Sequence, residues 1–180
     1  MAKLIPVDLT NNKPCILEYT TTDGQILSFK EDAFDVKIVS HTYTDIGKVI
    51  FDKPITKIGE CAFSWCNSLT SVTIPNGVTT IGERAFRGCK SLTSVTIGKG
   101  GTTIEKGAFL CCSSLSSVTI GKSVSKIDKR AFKDCNIDTI VCCPEIPPKI
   151  NDSFDRFENL IVPTGCEEAY ANSDWRQYLE

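Results

Sequence analysis

The chain has 180 residues, of which 41% are hydrophobic and 23% are charged. This balance is typical of a single folded domain and excludes wholesale disorder. Lys and Arg number 20 against 22 Asp and Glu, giving a formal net charge of −2, which argues against nucleic acids and anionic membrane surfaces as partners.

The N-terminal residues 1–8 do not form the apolar segment of a signal peptide, because Pro6 and Asp8 interrupt it. No later stretch approaches the roughly 20 apolar residues of a membrane span, so we expect no membrane insertion. Ten cysteines are many for a cytosolic protein and few for a disulfide scaffold. The cysteine count therefore leaves the compartment open.

Residues 1–45 are predicted to form a β-hairpin cap. Two apolar-rich runs, 15–20 and 25–29, flank Asp23-Gly24, and Asp-Gly supplies the positive φ angles of a tight hairpin turn. His41, the one histidine of the chain, falls in a predicted strand of this cap. No nucleophile can be placed beside it from the sequence, so we assign it no catalytic role.

From residue 46 onward the chain repeats with a period of 23 residues. One copy, residues 58–80, contains Ile-Gly-x-x-Ala-Phe-x-x-Cys-x-Ser-Leu-x-x-Val-x-Ile-Pro. Two columns follow this step most clearly, Phe63, Phe86, Phe109 and Phe132, and Cys66, Cys89, Cys112 and Cys135. A fixed period of this length predicts a solenoid, in which each copy is one coil and equivalent residues stack into ladders.

Each coil contains a short alternating run such as 69–74, in which Val72 and Ile74 face inward. These runs predict strands that pair in parallel on one face of the solenoid. The apolar frame begins with half a coil at 46–57, and the copy at 127–149 has lost one residue after Cys135. We expect the cysteine ladder to remain reduced, because parallel stacking keeps the Cβ atoms too far apart for disulfides.

Residues 164–180 are predicted to form a short helical cap over the last coil. Glu167 and Glu168 stand where a helix begins, and the apolar residues that follow have helix-like spacing. Capping is required because an open end of a repeat array exposes apolar ladder residues. The predicted organisation is therefore a cap at 1–45, a solenoid at 46–163 and a second cap at 164–180.

The repeat unit resembles that of the BspA-like leucine-rich repeat family, and the resemblance covers residues 46–163. It implies a leucine-rich-repeat-like stack of 23-residue coils with a parallel sheet on one face. It also implies a non-enzymatic, adhesin-like role in contacting proteins or glycans. The family favours a secreted or cell-surface location, whereas reduced thiols also allow a cytoplasmic one.

No catalytic, cofactor-binding or metal-ligating residues are predicted. Gly121-Lys122-Ser123 lacks the upstream glycine and the following helix of a phosphate-binding loop. The adjacent cysteines Cys111-Cys112 and Cys142-Cys143 lack the spacing of zinc ligands. These absences favour a binding protein over an enzyme.

The outward strand positions form two uncharged, hydroxyl-rich columns. They consist of Ser71, Ser94 and Ser117, and of Thr73, Thr96 and Thr119. We predict that this face binds a protein or glycan ligand, although threonine also suits an exposed strand through β-propensity alone. An alternative function is a structural cap or spacer within a larger surface or phage-like assembly.

Charged side chains of both signs gather on the turn opposite the strands. We interpret this surface as a solvated face. Its members are Glu60, Glu83, Arg84, Arg87, Lys106, Lys129, Arg130 and Lys133.

Overall fold

The chain winds into a β-solenoid of about five turns. The computed structural model describes residues 15–100 and 102–179. The predicted solenoid with a parallel sheet is confirmed. Its strands, in chain order, are β1 Cys15–Thr21, β2 Ile38–Tyr43, β3 Gly47–Phe51, β4 Lys57–Ile58, β5 Leu69–Ile74, β6 Thr80–Ile81, β7 Ser94–Ile97, β8 Thr103–Ile104, β9 Ser117–Ile120, β10 Lys126–Ile127, β11 Thr139–Cys142, β12 Lys149–Ile150 and β13 Asn159–Ile161.

Two sheets enclose the core. The large sheet has eight strands in the order β13-β11-β9-β7-β5-β1-β3-β2, and the small sheet has five in the order β12-β10-β8-β6-β4. From β5 to β13 the large sheet is parallel and in repeat register, so that Val72 lies beside Val95. Strand alternation buries Val72 and Ile74 while leaving Thr73 exposed.

A stack of phenylalanine rings runs through the core. Successive rings have centroids 4.9–5.1 Å apart and planes within 5° of parallel. The predicted four-ring ladder gains a fifth member, Phe154, which lies 22 residues after Phe132 because the fourth copy has lost one residue. Tilted aromatic rings close the two ends of the stack, Phe29 against Phe63 and Trp175 against Phe154.

The cysteine column connects neighbouring coils through hydrogen bonds. The Sγ atoms of Cys89, Cys112 and Cys135 each donate to the main-chain carbonyl of a phenylalanine in the preceding coil, at 3.1–3.2 Å. Cys66 in the first coil donates instead to the carbonyl of Ser28, at 3.1 Å. Burial raises the pKa of the Cys66 thiol to about 11, so this thiol stays protonated and remains a donor near neutral pH.

We expect all four ladder cysteines to be free thiols, because each sulfur already serves a carbonyl acceptor in the adjacent coil. Alkylation under denaturing, non-reducing conditions should label all four, as read by peptide mass spectrometry. In the folded protein the same residues should react more slowly than the less buried Cys143 and Cys166. A disulfide-linked peptide from the column would contradict this prediction.

The N-terminal cap differs from the predicted hairpin. Strand β1 pairs antiparallel with β3 on one side and with β5 on the other, while residues 25–29 form no strand. Both edges of β1 are therefore already occupied. Since β1 also separates β3 from β5, the strand of the half coil at 46–57 does not stack directly on the first full coil.

Residues 25–30 instead cross the open end of the first coil. The Leu27 amide donates to the Tyr19 hydroxyl at 3.1 Å, and the Lys30 amide donates to the Ala62 carbonyl at 2.8 Å. Between them the Phe29 ring packs on Phe63. This segment covers the core because it lies against the exposed end of the ladder rather than extending the sheet.

His41 lies on the inward side of β2 and is hydrogen-bonded to the buried Tyr19. The Tyr19 hydroxyl accepts from the Leu27 amide and is hydrogen-bonded to His41 Nε2, 2.5 Å away. In a neutral imidazole with its proton on Nδ1, Nε2 accepts the proton of the Tyr19 hydroxyl. Burial lowers the pKa of His41, partly offset by Glu31.

Stability should fall as the pH drops from about 7 to about 5. An imidazole whose folded pKa lies below the unfolded value of about 6.5 binds protons preferentially in the unfolded state. The contribution of neutral His41 to the stability of the folded state is therefore present above a pH of about 6.5 and is lost as the pH falls below it. His41→Gln keeps an acceptor for Tyr19 but does not titrate, so its urea midpoint should change less over this range. Equal pH dependence in both proteins would contradict the assignment.

The predicted C-terminal helical cap is confirmed. It consists of α1, Glu167–Ala171, and a 3-10 segment, Asp174–Tyr178. The Tyr170 hydroxyl donates to the Pro144 carbonyl at 2.7 Å, which ties α1 to the last coils. The helices of the described residues are all too short or too polar to cross a membrane. The predicted boundaries at residues 46 and 163 stay predictions.

Candidate functional site

The two hydroxyl columns form a regular array on the outer face of the large sheet, which we call the hydroxyl grid. It consists of Ser71, Thr73, Ser94, Thr96, Ser117 and Thr119. The strand register aligns the three serines in one row and the three threonines in another. The rows face outward because their neighbours along each strand, such as Val72 and Ile74, are buried.

Most hydroxyls of the grid are free to bind. Ser71 Oγ is hydrogen-bonded to Thr20 Oγ1 at 2.6 Å. The other five side chains of the grid make no side-chain hydrogen bond within the described part of the chain. Neighbouring rungs are roughly 4.8 Å apart across the strands, and the two rows are roughly 6.5 Å apart along them. The grid therefore presents evenly spaced donors and acceptors on a rigid sheet.

Towards the C-terminus both rows continue, and the threonine row becomes apolar. Thr139 and Asn159 extend the serine row, while Val141 and Ile161 extend the threonine row. Ile161 is 53% exposed. These residues are not among those predicted from the sequence. The 23-residue frame, corrected for the lost residue, places Thr139 and Val141 in the two rows.

Towards the N-terminus β1 borders the grid with a different surface. Thr20 lies beside Ser71, and Glu18 lies beside Thr73. Glu18 in turn faces Lys48 on β3, with 3.6 Å between Glu18 Oε1 and Lys48 Nζ. No repeat signal could have located these residues, because β1 runs antiparallel and lies outside the 23-residue frame.

The grid can bind but carries no group suited to acid–base chemistry. Its six side chains are uncharged hydroxyls, and His41 lies on the opposite face of the sheet against Tyr19. Among residues 15–100 and 102–179, no group of three or more His, Cys, Asp or Glu side chains is placed to hold a metal ion. The arrangement suits recognition by shape and by neutral hydrogen bonds.

Comparisons with known proteins agree with this architecture. A family model described as BspA type leucine-rich repeat region matches residues 36–161 in six copies. The crystal structure of a leucine-rich repeat protein from Bacteroides ovatus is similar, with a TM-score of 0.52 and 23% identity over 77% of this chain. This chain spans 40% of the length of that protein, and at this identity the likeness concerns the fold alone.

A comparison with curated protein sequences found no match. The family model nevertheless covers well over half of the chain and coincides with the stacked coils of the solenoid. The chain belongs to the BspA-type leucine-rich repeat family.

Proposed function

We propose that this chain is a non-enzymatic, adhesin-like module that binds a protein or glycan ligand on the hydroxyl grid. Leucine-rich repeat membership indicates a protein-interaction module. The observation that carries the proposal is the set of five grid hydroxyls without side-chain partners in the described structure, held on strands paired in register.

The grid suits binding because its side chains are already ordered. Residues on paired strands have little conformational freedom left to lose when a ligand docks. Each hydrogen bond contributes roughly 0.5–1.5 kcal/mol net, so one contact is weak and a repeated row is useful. Since the grid is uncharged, the affinity should depend only weakly on salt.

The double variant Thr96→Lys with Thr119→Lys should weaken ligand binding at least tenfold, about 1.4 kcal/mol, without unfolding the protein. Two lysines would obstruct neighbouring positions of the threonine row, while outward-facing strand positions tolerate charge. Affinity would be measured by surface plasmon resonance with a ligand selected from a printed glycan array or a displayed peptide library.

The small sheet offers a matched control. Thr80 and Thr103 occupy adjacent strands, and equivalent positions of that ladder already carry Lys57, Lys126 and Lys149. Thr80→Lys with Thr103→Lys should therefore leave affinity unchanged. Equal affinities of the two double variants would contradict a ligand site on the grid. A failure of both screens to yield a ligand would instead favour the structural cap or spacer.

A further inference from the structure

We propose that Trp65 and Arg87, on the turns before β5 and β7, form a second binding site for an apolar protein segment that carries a carboxylate. This site lies outside the hydroxyl grid and does not depend on the function proposed for the grid. Arg87 belongs to the charged face expected to be solvated, and Trp65 falls at a position where the 23-residue copies differ.

The indole of Trp65 is exposed and fixed in orientation. Trp65 is 52% exposed, whereas the second tryptophan, Trp175, is fully buried. The ring of Trp65 lies over Gly88 in the next coil, so closely that a Cβ atom there would be 2.4 Å from Trp65 Cε3. A large apolar surface is therefore held in place before any partner arrives, which reduces the entropy lost on binding.

The backbone of the turn reinforces this orientation. Trp65 has φ = 63°, in the left-handed region that favours glycine. Gly88, Cys111 and Asp134 occupy the equivalent positions of the next coils and also have positive φ. The coil imposes this conformation, and in the first coil it projects the largest side chain outward.

Arg87 places an unneutralised cation beside the ring. Its guanidinium carbon lies 5.4 Å from the centroid of the Trp65 ring, and its Nε atom is buried without an acceptor among the described residues. Arg87 forms no ion pair there either, and the nearby Glu83 pairs with Arg84 at 3.5 Å. No carboxylate of the described residues neutralises Arg87, so an anion from outside can pair with it.

The pairing of an indole with a guanidinium defines the ligand. A guanidinium presents a planar fork of donors that matches the two oxygens of a carboxylate. The indole contributes apolar area, and Trp and Arg are the residues most enriched among energetically dominant interface contacts. The complementary segment has an Asp or Glu side chain next to a large apolar residue.

The neighbouring coil favours a peptide over an acidic sugar. Leu110 takes the place of Arg87 one coil further along and is half-buried, while its carbonyl accepts from the Gly88 amide at 2.8 Å. Leu110 therefore adds a half-buried apolar side chain beside Arg87, in the coil that follows it. An apolar side chain can use that surface, whereas the hydroxyls of a sugar would lose water there without gaining partners.

The test uses two capped peptides, acetyl-Gly-Leu-Asp-Phe-Gly-amide and the same peptide with Asn in place of Asp. Each is titrated to about 10 mM, beyond the weak millimolar range, into the ¹⁵N-labelled full chain. The Trp65 indole and Arg87 Nε resonances are followed by NMR. The acidic peptide should shift both resonances saturably and bind at least fivefold more tightly than its amide counterpart.

Variants then assign the two contacts. Arg87→Gln should abolish the preference for the acidic peptide, and Trp65→Ala should weaken both peptides. Lys90→Gln removes an exposed cation from the same coil and should change neither affinity. The double variant Thr96→Lys with Thr119→Lys should also leave peptide binding intact, which separates this site from the hydroxyl grid.

Three outcomes would overturn the proposal. They are equal binding of the acidic and amide peptides, an unchanged preference in folded Arg87→Gln, and the absence of any shift at the highest concentration. Glucuronic acid serves as the competing probe. Saturable shifts of both resonances with glucuronic acid but not with the peptide would identify an acidic-glycan site and exclude the protein segment.

Discussion

Phe109→Ala is expected to lower the free energy of unfolding by about 3–5 kcal/mol. Phe109 is fully buried at the centre of the ring stack, with Phe86 and Phe132 each 5.0 Å away. Truncation removes both stacked contacts and leaves a cavity that the rigid neighbouring coils cannot fill. Urea denaturation followed by far-UV circular dichroism measures the loss.

Two further variants calibrate this result. Lys90→Ala, an exposed change in an adjacent coil, should alter stability by no more than about 0.5 kcal/mol. Phe29→Ala should fall between the two, because Phe29 is half-buried at the end of the stack. If Phe109→Ala and Lys90→Ala had the same urea midpoint, the ring stack could not be the main stabilising element of the solenoid.

Trp175→Ala should destabilise the protein by a similar amount, about 3–5 kcal/mol. Trp175 is fully buried, packs 5.5 Å from Phe154 and donates from Nε1 to the Pro148 carbonyl at 2.8 Å. Its removal uncovers the last ring of the stack and leaves a buried carbonyl without its donor. Urea denaturation measures the loss, and increased binding of a hydrophobic dye would report the uncovered end.

The first tryptophan provides the comparison within the same chain. Trp65→Ala should cost much less stability than Trp175→Ala, because about half of the Trp65 surface already faces solvent. Trp175→Phe should recover part of the stability, since it restores the apolar contact but not the hydrogen bond. A wild-type midpoint for Trp175→Ala would mean that the C-terminal segment does not close the solenoid.

The sequence alone was sufficient for the regular part of the molecule. A 23-residue period fixes which residues become neighbours in successive coils, and strand alternation fixes which of them face inward. The Phe63 to Phe132 ladder and the inward position of Val72 follow from these two rules. The outward position of the hydroxyl grid follows in the same way, because Thr73 and Thr96 occupy the complementary strand positions.

The tertiary structure decided how the N-terminal residues close the solenoid. Asp23-Gly24 predicted a local hairpin, but residues 25–29 form no strand. The two edges of β1 pair with β3 and β5 instead. The charged border at Glu18 and the closure of the core by Phe29 depend on that insertion. Local turn propensity stabilises the chain less than burial of the apolar residues at the open end of the solenoid. Contacts between residues distant in sequence therefore determine how the chain is capped.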